Sequence, residues 1–392
     1  MSRRGSVLAM LLVPSALLFA SCGGGPGFTT VEIGSGDPIV IGVSTMLDGD
    51  LAPTGEALLD AATLAGEDVS IAGHEVEFVG VNDGCTEEGG AEAARELVER
   101  EGLVAVVGGS CSDAVIGGQP VYEEAGITHI SQLSTNVATT DPEDREPFLT
   151  FLRTAFNDAI QGVEQAAFAE GTLGAESALV VHEGFRYGGA GVVFRDSFTG
   201  EIVDDIGFED EADLPDIASR VAQANPDVVY FSGFYPTGIP FIQELRGAGY
   251  TGPVIGSDSM YDRAMIDGLG ALAEQELYVT LPSVPLEGPA WEDFSARYEQ
   301  AYSADPTDTP FAAESFDAAT AIILGLRAEG VVAETDGGIE VDLEALNEAI
   351  RSVSFDGASG PIRFTEDGDR DPEGLTPVTV FVVRDGAFEP LS

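Results

Sequence analysis

The sequence predicts an α/β protein with two doubly wound parallel-sheet lobes, and three observations carry this prediction. Short apolar strands alternate with helices of about 10–15 residues, the pattern of a parallel sheet covered on both faces. The alternation runs through two series, and the second begins after the segment Phe148–Arg153. The chain has 392 residues, 44% hydrophobic and 22% charged, which is enough for two domains with substantial cores.

Residues 1–21 have the three parts of a signal peptide. Two arginines precede an apolar run from Val7 to Phe19, which is shorter than the roughly 20 residues of a membrane span. The segment Leu18–Cys22 resembles the lipobox of bacterial lipoproteins, which implies acylation of the Cys22 thiol. A plain secretory signal is the alternative. Residues 22–37, rich in Gly and Thr, are predicted to be a flexible tether between membrane and domain.

The first series of elements predicts one lobe. Its helices carry apolar residues at helical spacing, as Leu58, Ala61 and Ala65 do. The expected strands are Pro38–Val43, Glu75–Val81, Leu103–Val107 and Thr128–Ser131, and the expected helices are Thr54–Asp68, Glu88–Glu101 and Asp113–Ala125.

The second series repeats the alternation and predicts the other lobe. Its expected helices are Asp158–Glu170, Gly188–Thr199, Leu214–Ala224 and Pro236–Ala248, and its expected strands are Ser177–His182, Glu201–Ile206, Asp227–Ser232 and Val254–Gly256. Two facing open parallel sheets leave a cleft beyond the carboxyl ends of their strands, which is where such sheets bind ligands.

The tail has too few strands for a third sheet. Its helices, at about Pro289–Ser303, Phe311–Glu329 and Leu343–Ser352, are expected to pack on the first lobe, and the strand Thr379–Val383 on the second. The predicted boundaries are therefore residues 38–153 with about 282–360 for lobe I, and residues 154–281 with about 361–392 for lobe II.

The charge of the chain excludes some partners. Acidic residues outnumber basic ones 68 to 17, for a formal net charge of −51, which argues against nucleic acid or anionic lipid as a surface partner. Every basic residue is arginine. Because salt screens repulsion between surface charges, the acidic excess predicts a halophilic source. A GC-rich genome would explain the missing lysines, but it would not explain the excess of acid.

Several segments together resemble the leucine/isoleucine/valine-binding family of ABC-transporter substrate-binding lipoproteins. The segments are Asn82-Asp83-Gly84-Cys85, Gly108-Gly109-Ser110-Cys111-Ser112, Ile127-Thr128-His129-Ile130-Ser131, Ser134-Thr135-Asn136, Leu152-Arg153-Thr154, Val181-His182-Glu183, Tyr187-Gly188, Val229-Tyr230-Phe231-Ser232-Gly233-Phe234 and Gly256-Ser257-Asp258. They occur in order and with compatible spacing from about Pro38 to the end of the chain. The resemblance implies the type I periplasmic-binding-protein fold, in which two lobes joined by a three-strand hinge close on a ligand.

Cys85 and Cys111 each follow the carboxyl end of a predicted strand, and the two strands are expected to be neighbours. An exported protein meets an oxidising medium, so we expect a disulfide, which the resemblance also implies. Two free thiols are the alternative. A loop of this length would be stabilised by roughly 3–4 kcal/mol in the chain-entropy model.

The resemblance implies an anion-binding wall for the carboxylate of a ligand. Ser112 opens a predicted helix, and Ser134 and Thr135 follow a strand end, where hydroxyl and free amide groups suit an anion. In the family the position of Ser134 acts mainly through its backbone. Ser112 could instead be an N-cap, a role that serine favours.

The resemblance also implies residues for the rest of an amino-acid ligand. Asp258 would receive the ammonium group, although an aspartate in so acidic a chain could equally be solvated surface. Tyr187 would contact the ligand, and Phe234 would keep an apolar wall where the family often has tyrosine. Thr54 stands where the family often has an aromatic residue, which leaves its contact in doubt. Each of these last three residues could be ordinary packing.

Other apparent motifs predict neither a cofactor nor a metal site. The segment Gly247–Gly252 fits G-x-G-x-x-G but ends a helix and enters a strand, the reverse of a dinucleotide site. The segment Asp367–Asp371 begins like a calcium loop, but Pro372 replaces the required glycine, so it predicts an acidic hairpin turn. The three histidines lack zinc spacing.

The expected function is that of an extracytoplasmic substrate-binding lipoprotein, anchored to the cell membrane through Cys22. It would capture a small amino acid, branched-chain or otherwise apolar, and deliver it to the permease and ATPase complex of an ABC importer; we expect a monomer and no enzyme activity. One alternative is the same fold binding an amide, urea or aromatic acid, and another is a ligand sensor. An exported enzyme would need a nucleophile–base pair that the sequence does not show.

Overall fold

The computed structural model describes residues 26–141, 146–183 and 188–391. Its strands are β1 Thr30–Gly34, β2 Ile39–Thr45, β3 Ser70–Ile71, β4 His74–Asn82, β5 Leu103–Val107, β6 Thr128–Ser131, β7 Phe151–Arg153, β8 Ser177–Glu183, β9 Glu201–Phe208, β10 Val228–Ser232, β11 Val254–Gly256, β12 Leu277–Leu281, β13 Val332–Thr335, β14 Gly338–Asp342, β15 Phe355–Gly357, β16 Gly360–Ile362, β17 Thr379–Arg384 and β18 Ala387–Pro390.

Eleven α-helices lie in the same residues. They are α1 Ala52–Gly66, α2 Glu87–Val98, α3 Ser112–Ala125, α4 Asp158–Gly171, α5 Gly188–Ser197, α6 Leu214–Ala224, α7 Tyr235–Gly247, α8 Arg263–Leu269, α9 Pro289–Tyr302, α10 Ala312–Leu326 and α11 Leu343–Arg351. Among the described residues, none of these helices has the length and apolar character needed to span a bilayer.

The first lobe is built on a six-stranded sheet of order β3-β4-β2-β5-β6-β7. Apart from β3, its strands are parallel. Strands β2 and β5 are buried along their whole length because helices cover both faces of the sheet. Helices α2 and α3 pack together beside it, and α1 packs against α10, most of whose residues are buried.

The second lobe is built on a seven-stranded sheet of order β18-β17-β12-β11-β10-β8-β9. Its first five strands in the chain, β8 to β12, are parallel. Aromatic residues of the central strand β10 fill both faces: Tyr230 stacks on Phe194 of α5 at 4.5 Å between ring centroids, and Phe231 stacks on Phe241 of α7 at 4.7 Å. The expected α/β architecture of two doubly wound sheets is confirmed.

The chain passes between the two sheets three times, after β7, after β12 and between β16 and β17. The three passages are bonded to one another: the Arg153 amide donates to the Gly368 carbonyl at 2.9 Å, and the Phe156 amide donates to the Pro282 carbonyl at 3.3 Å. Helices α9 to α11 pack with first-lobe elements, and β17 pairs antiparallel with β12 of the second lobe. The domain boundaries given above remain predictions.

The predicted tether is wrong over the residues that the structure describes. Strand β1 pairs antiparallel with β14, and the Gly27 amide donates to the Glu123 carbonyl at 3.0 Å. The side chain of Ile33 is buried against the first lobe. The alternation of Val31 and Ile33 in a Gly-rich stretch marks this strand, and the β13–β14 hairpin that receives it was not predicted either. The predicted signal peptide and Cys22 lie outside the described residues.

Candidate functional site

A cleft that is partly open to solvent lies between the carboxyl ends of the two sheets, and the space within it, including solvent at its mouth, is about 540 Å³. Both lobes supply its walls. The first lobe contributes Cys85, Cys111, Ser112, Asp113, Leu133, Thr135 and Asn136, and the second contributes Asp158, Ala190, Ser232, Phe234, Ser257, Asp258 and Ser259.

A disulfide forms part of the first-lobe wall. The structure joins Cys85 to Cys111, with 5.1 Å between their Cα atoms, which is the predicted pairing. The expectation that the two preceding strands are neighbours is wrong, because β2 lies between β4 and β5. Buried Asp83 holds both loops, because its carboxylate accepts the amides of Cys85 at 3.0 Å and Ser110 at 3.2 Å. Burial raises the pKa of Asp83 above its usual value, although these hydrogen bonds act in the opposite direction. The start of α3 is therefore tied to the loop after β4.

The predicted anion wall lies at the start of α3. Cys111 occupies the N-cap and Ser112 is the first helical residue, so Ser112 is not the cap. Its hydroxyl oxygen accepts the Ser134 hydroxyl at 3.1 Å and the Asn136 amide at 3.2 Å. The first amides of a helix lack partners within the helix and favour anions. Ser112 and Thr135 both line the cleft.

Ser134 differs from the other two hydroxyl residues in its placement. It is fully buried, and its amide donates to the Ser131 hydroxyl oxygen at 3.0 Å. It therefore supports Ser112 from behind the wall, and its amide already has a partner. A ligand contact through that amide stays a prediction.

Two buried aspartates face the cleft from the second lobe. Asp258 begins a short turn after β11, where burial and then the charge of Asp158 raise its pKa to about 7. Asp158 is the first residue of α4, and burial raises its pKa to about 6, although the Thr135 hydroxyl and the Arg153 charge act in the opposite direction. Among the described residues that line the cleft, none is basic. The pair is suited to bind a cationic group.

Asp158 lines the cleft, and the sequence analysis did not single it out. Its amide donates to the Thr135 carbonyl at 2.8 Å, which ties α4 to the anion wall of the other lobe. An acidic residue in the first turn of a helix is common because it favours the helix dipole. Because this role is common, the sequence does not distinguish Asp158 from other acidic residues at helix starts. Its burial beside Asp258 does.

A mostly apolar chamber of about 280 Å³, solvent at its mouth included, adjoins the cleft and shares Leu133, Phe234, Asp258 and Ser259 with it. Met46, Leu51 and Phe311 extend its walls. Phe234 thus lies where the sequence predicts an apolar wall. Its mostly apolar walls suit an apolar group.

Direct contacts between the lobes close the far end of this chamber. The Thr54 hydroxyl donates to the Asp262 carboxylate at 3.0 Å, and the Tyr235 hydroxyl donates to the Asp50 carbonyl at 2.8 Å. Burial raises the pKa of Asp262 above its usual value, although the Ala264 amide and the Thr54 hydroxyl act in the opposite direction. Thr54 lines the chamber and contacts the second lobe through Asp262. A contact between Thr54 and a ligand stays a prediction.

Tyr187 lies outside the described residues. The described residues contain no group of three or more His, Cys, Asp or Glu that could hold a metal ion.

Comparisons with known proteins agree with this geometry. The model of a family described as periplasmic binding protein matches residues 38–387. An amino acid binding protein of Pseudomonas aeruginosa is 29% identical over 231 residues, which cover 57% of this chain and 61% of that relative. The leucine-specific-binding protein of Salmonella typhimurium is 23% identical over 353 residues, 85% of this chain and 88% of the relative. The crystal structure of the leucine-binding protein LivK of Thermotoga maritima superposes with a TM-score of 0.79 at 25% identity, and the match covers 90% of this chain and 98% of that chain.

Proposed function

Because this chain belongs to the periplasmic binding protein family, we propose that it captures a small apolar amino acid, leucine, isoleucine or valine foremost, for an ABC importer. Members of this family are extracytoplasmic proteins that bind a ligand and catalyse no reaction. That membership removes the exported enzyme from the alternatives. The named relatives support the ligand class.

The charge layout of the cleft is the observation that carries the proposal. Buried Asp158 and Asp258 offer negative charge on the second-lobe side, while Ser112, Thr135 and the start of α3 offer donors on the first-lobe side. An α-amino acid has an ammonium and a carboxylate on one carbon, so closure would satisfy both walls at once. The adjoining apolar chamber would take its side chain.

The same layout weighs against the alternatives that lack an ammonium group. An amide, urea or aromatic acid brings no positive charge, so it would form no ion pair with Asp158 and Asp258, whose pKa values burial raises. Delivery to a permease and ATPase complex, rather than signalling as a sensor, follows the family resemblance.

The ligand proposal is tested with a matched set of compounds on purified protein lacking the signal peptide. Leucine is compared with 4-methylpentanoate, which lacks the ammonium, and with 3-methylbutylamine, which lacks the carboxylate. At 100 times its dissociation constant, leucine should add about 2.7 kcal/mol to the free energy of unfolding, and the two fragments should add far less. Urea, benzoate and simple amides complete the screen.

A matched variant pair locates the binding. Asp258→Asn keeps the shape of the side chain and removes its charge, and it should abolish most of the response to leucine. Asp336→Asn removes an exposed charge in the turn between β13 and β14 and serves as control. Stabilisation by benzoate or urea alone, with no response to any amino acid, would discard the proposed ligand class.

We also propose that acylated Cys22 anchors the protein to the cell membrane and that the protein is a monomer adapted to high salt. The lipobox-like segment supports the anchor, and the net charge of −51 supports the adaptation. Labelling with a palmitate analogue should be lost in Cys22→Ser.

Lowering salt from molar to millimolar concentration should lower the melting temperature, and an unchanged melting temperature would reject the salt adaptation.

A further inference from the structure

Arg153 is a fully buried arginine at the end of β7, where the chain first leaves the first lobe. Its Nη1 donates to the carbonyls of Ser134 at 3.1 Å and Asn136 at 2.8 Å. These two carbonyls flank Thr135, which lines the cleft. One guanidinium nitrogen therefore holds the loop that carries the anion wall.

Asp369 completes the arrangement from the third passage between the lobes. Its carboxylate accepts Nε of Arg153 at 2.5 Å and Nδ2 of Asn157 at 3.1 Å. Asn157 is the N-cap of α4, the helix that begins with Asp158. The predicted acidic hairpin turn around Asp369 thus has a buried arginine as its partner. Through Arg153 it reaches the anion wall, and through Asn157 it reaches the cation wall that Asp158 and Asp258 form.

The charge of Arg153 also acts on the cation wall. Three ionisable groups interact with Asp158. The charge of Arg153 lowers the pKa of Asp158. The charge of Asp158 in turn raises the pKa of Asp258 and that of the buried Tyr230. A buried arginine is costly unless it is paired and hydrogen-bonded. Nε and both terminal nitrogens of Arg153 have partners, since Nη2 donates to the Thr140 hydroxyl.

We propose that Arg153 and Asp369 form a positioning pair that couples the hinge to the ligand cleft, holding residues 134–136 and the start of α4 in the arrangement that closure requires. The pair would touch no ligand atom. This inference rests on the proposed function only for the nature of the ligand.

The first test measures leucine affinity against pH. Arg153→Met removes the positive charge near Asp158, so the pH below which affinity falls should rise by about one unit. Asp369→Asn removes the negative charge that partly neutralises Arg153, so the pH midpoint of leucine affinity should fall or stay unchanged. Arg351→Met is the matched control, since Arg351 also bonds to the carbonyls of Phe151 and Glu366 but lies outside the cleft wall, and its midpoint should not move.

The second test needs no ligand. Amide hydrogen exchange in residues 134–140 and at the start of α4 should accelerate about tenfold in Arg153→Met and Asp369→Asn, and much less in Arg153→Lys or Arg351→Met. Exchange that rises equally in all variants, or pH midpoints that shift equally, would overturn the positioning role. If wild-type protein does not bind leucine but the variants show the expected exchange pattern, the proposed ligand is wrong and the positioning role of Arg153 and Asp369 is still supported.

Discussion

The two aspartates of the cation wall differ from most acidic side chains of this protein because they are buried. Asp158 and Asp258 are each 6% exposed. In an acidic chain the number of carboxylates says little about a site, since a solvated carboxylate interacts weakly with its surroundings. Burial makes these two charges costly and makes a cationic ligand valuable.

The raised pKa values of this pair predict that ligand binding releases protons. Without ligand, Asp158 and Asp258 have pKa values of about 6 and about 7, and an ammonium group between them favours their ionised forms. Leucine affinity should therefore weaken as the pH falls from about 7 to 5. Calorimetry in buffers of different ionisation enthalpy measures the release. Affinity that stays constant from pH 5 to 8 would contradict this assignment.

His129 predicts a separate dependence of stability on pH. Its ring is buried between Tyr122 and Phe151, and burial lowers its pKa to about 3. The unfolded chain then binds more protons than the folded one below about pH 6.5, so the free energy of unfolding falls as the pH drops towards 3.

The expected size of the His129 effect is at most about 1.4 kcal/mol per pH unit. His129→Met should flatten the acid side of the stability profile measured by urea unfolding. Phe151→Leu disturbs the same cluster and keeps the histidine, so it should lower stability at every pH without changing the slope. Equal slopes in wild type and His129→Met would refute the interpretation.

At the scale of elements, the site is made where strands end and helices or turns begin. The loop after β6 supplies Thr135, helix α3 follows β5, helix α4 follows β7, and the turn with Asp258 follows β11. All these strands are parallel to their neighbours, so their carboxyl ends meet at one edge of each sheet. Gly55 shows how closely α1 approaches this edge, because a Cβ there would lie 1.6 Å from the Met46 carbonyl oxygen.

The disulfide predicts a measurable loss when it is removed. It closes a loop with a sequence separation of 26 residues, so replacing both Cys85 and Cys111 by serine should cost roughly 3–4 kcal/mol of unfolding free energy. Leucine affinity should fall as well, since the start of α3 loses a support. Urea unfolding with and without reductant measures both, and the double variant should no longer respond to reductant. A wild type that is insensitive to reduction would contradict the prediction.

At the scale of the whole molecule, direct hydrogen bonds hold the two lobes in contact at the far end of the apolar chamber. Thr54 bonds to Asp262 and Tyr235 bonds to Asp50, each across the end of the apolar chamber. Opening the cleft must break both bonds. These contacts therefore bias the molecule towards its closed form.

Loss of one such contact should shift the molecule towards an open form. Tyr235→Phe removes a hydrogen bond worth about 0.5–1.5 kcal/mol, which corresponds to about a twofold to thirteenfold loss of leucine affinity. The radius of gyration of ligand-free protein in X-ray scattering should increase. Tyr302→Phe is the control, because its hydroxyl also donates to a carbonyl, that of Asp60, but within one lobe. Equal behaviour of the two variants would argue against a closing contact.

The sequence by itself determined the α/β class, the two series of elements and the positions where strands end, because apolar periodicity along the chain records which faces are buried. It also placed Asp258, Ser112 and the disulfide at such strand ends. Strand β1 escaped this reasoning because its glycine-rich surroundings hide a short alternation.

Only the tertiary structure decided which distant residues share an environment. Asp158 lies 100 positions from Asp258, Arg153 is paired with Asp369 from the tail, and Thr54 meets Asp262 of the other lobe. Local sequence carries no record of such pairings, since they arise where separate passages of the chain converge. The pKa of a carboxyl group likewise depends on burial by residues far away in the chain, which is why an ordinary helix-start aspartate became half of the cation wall.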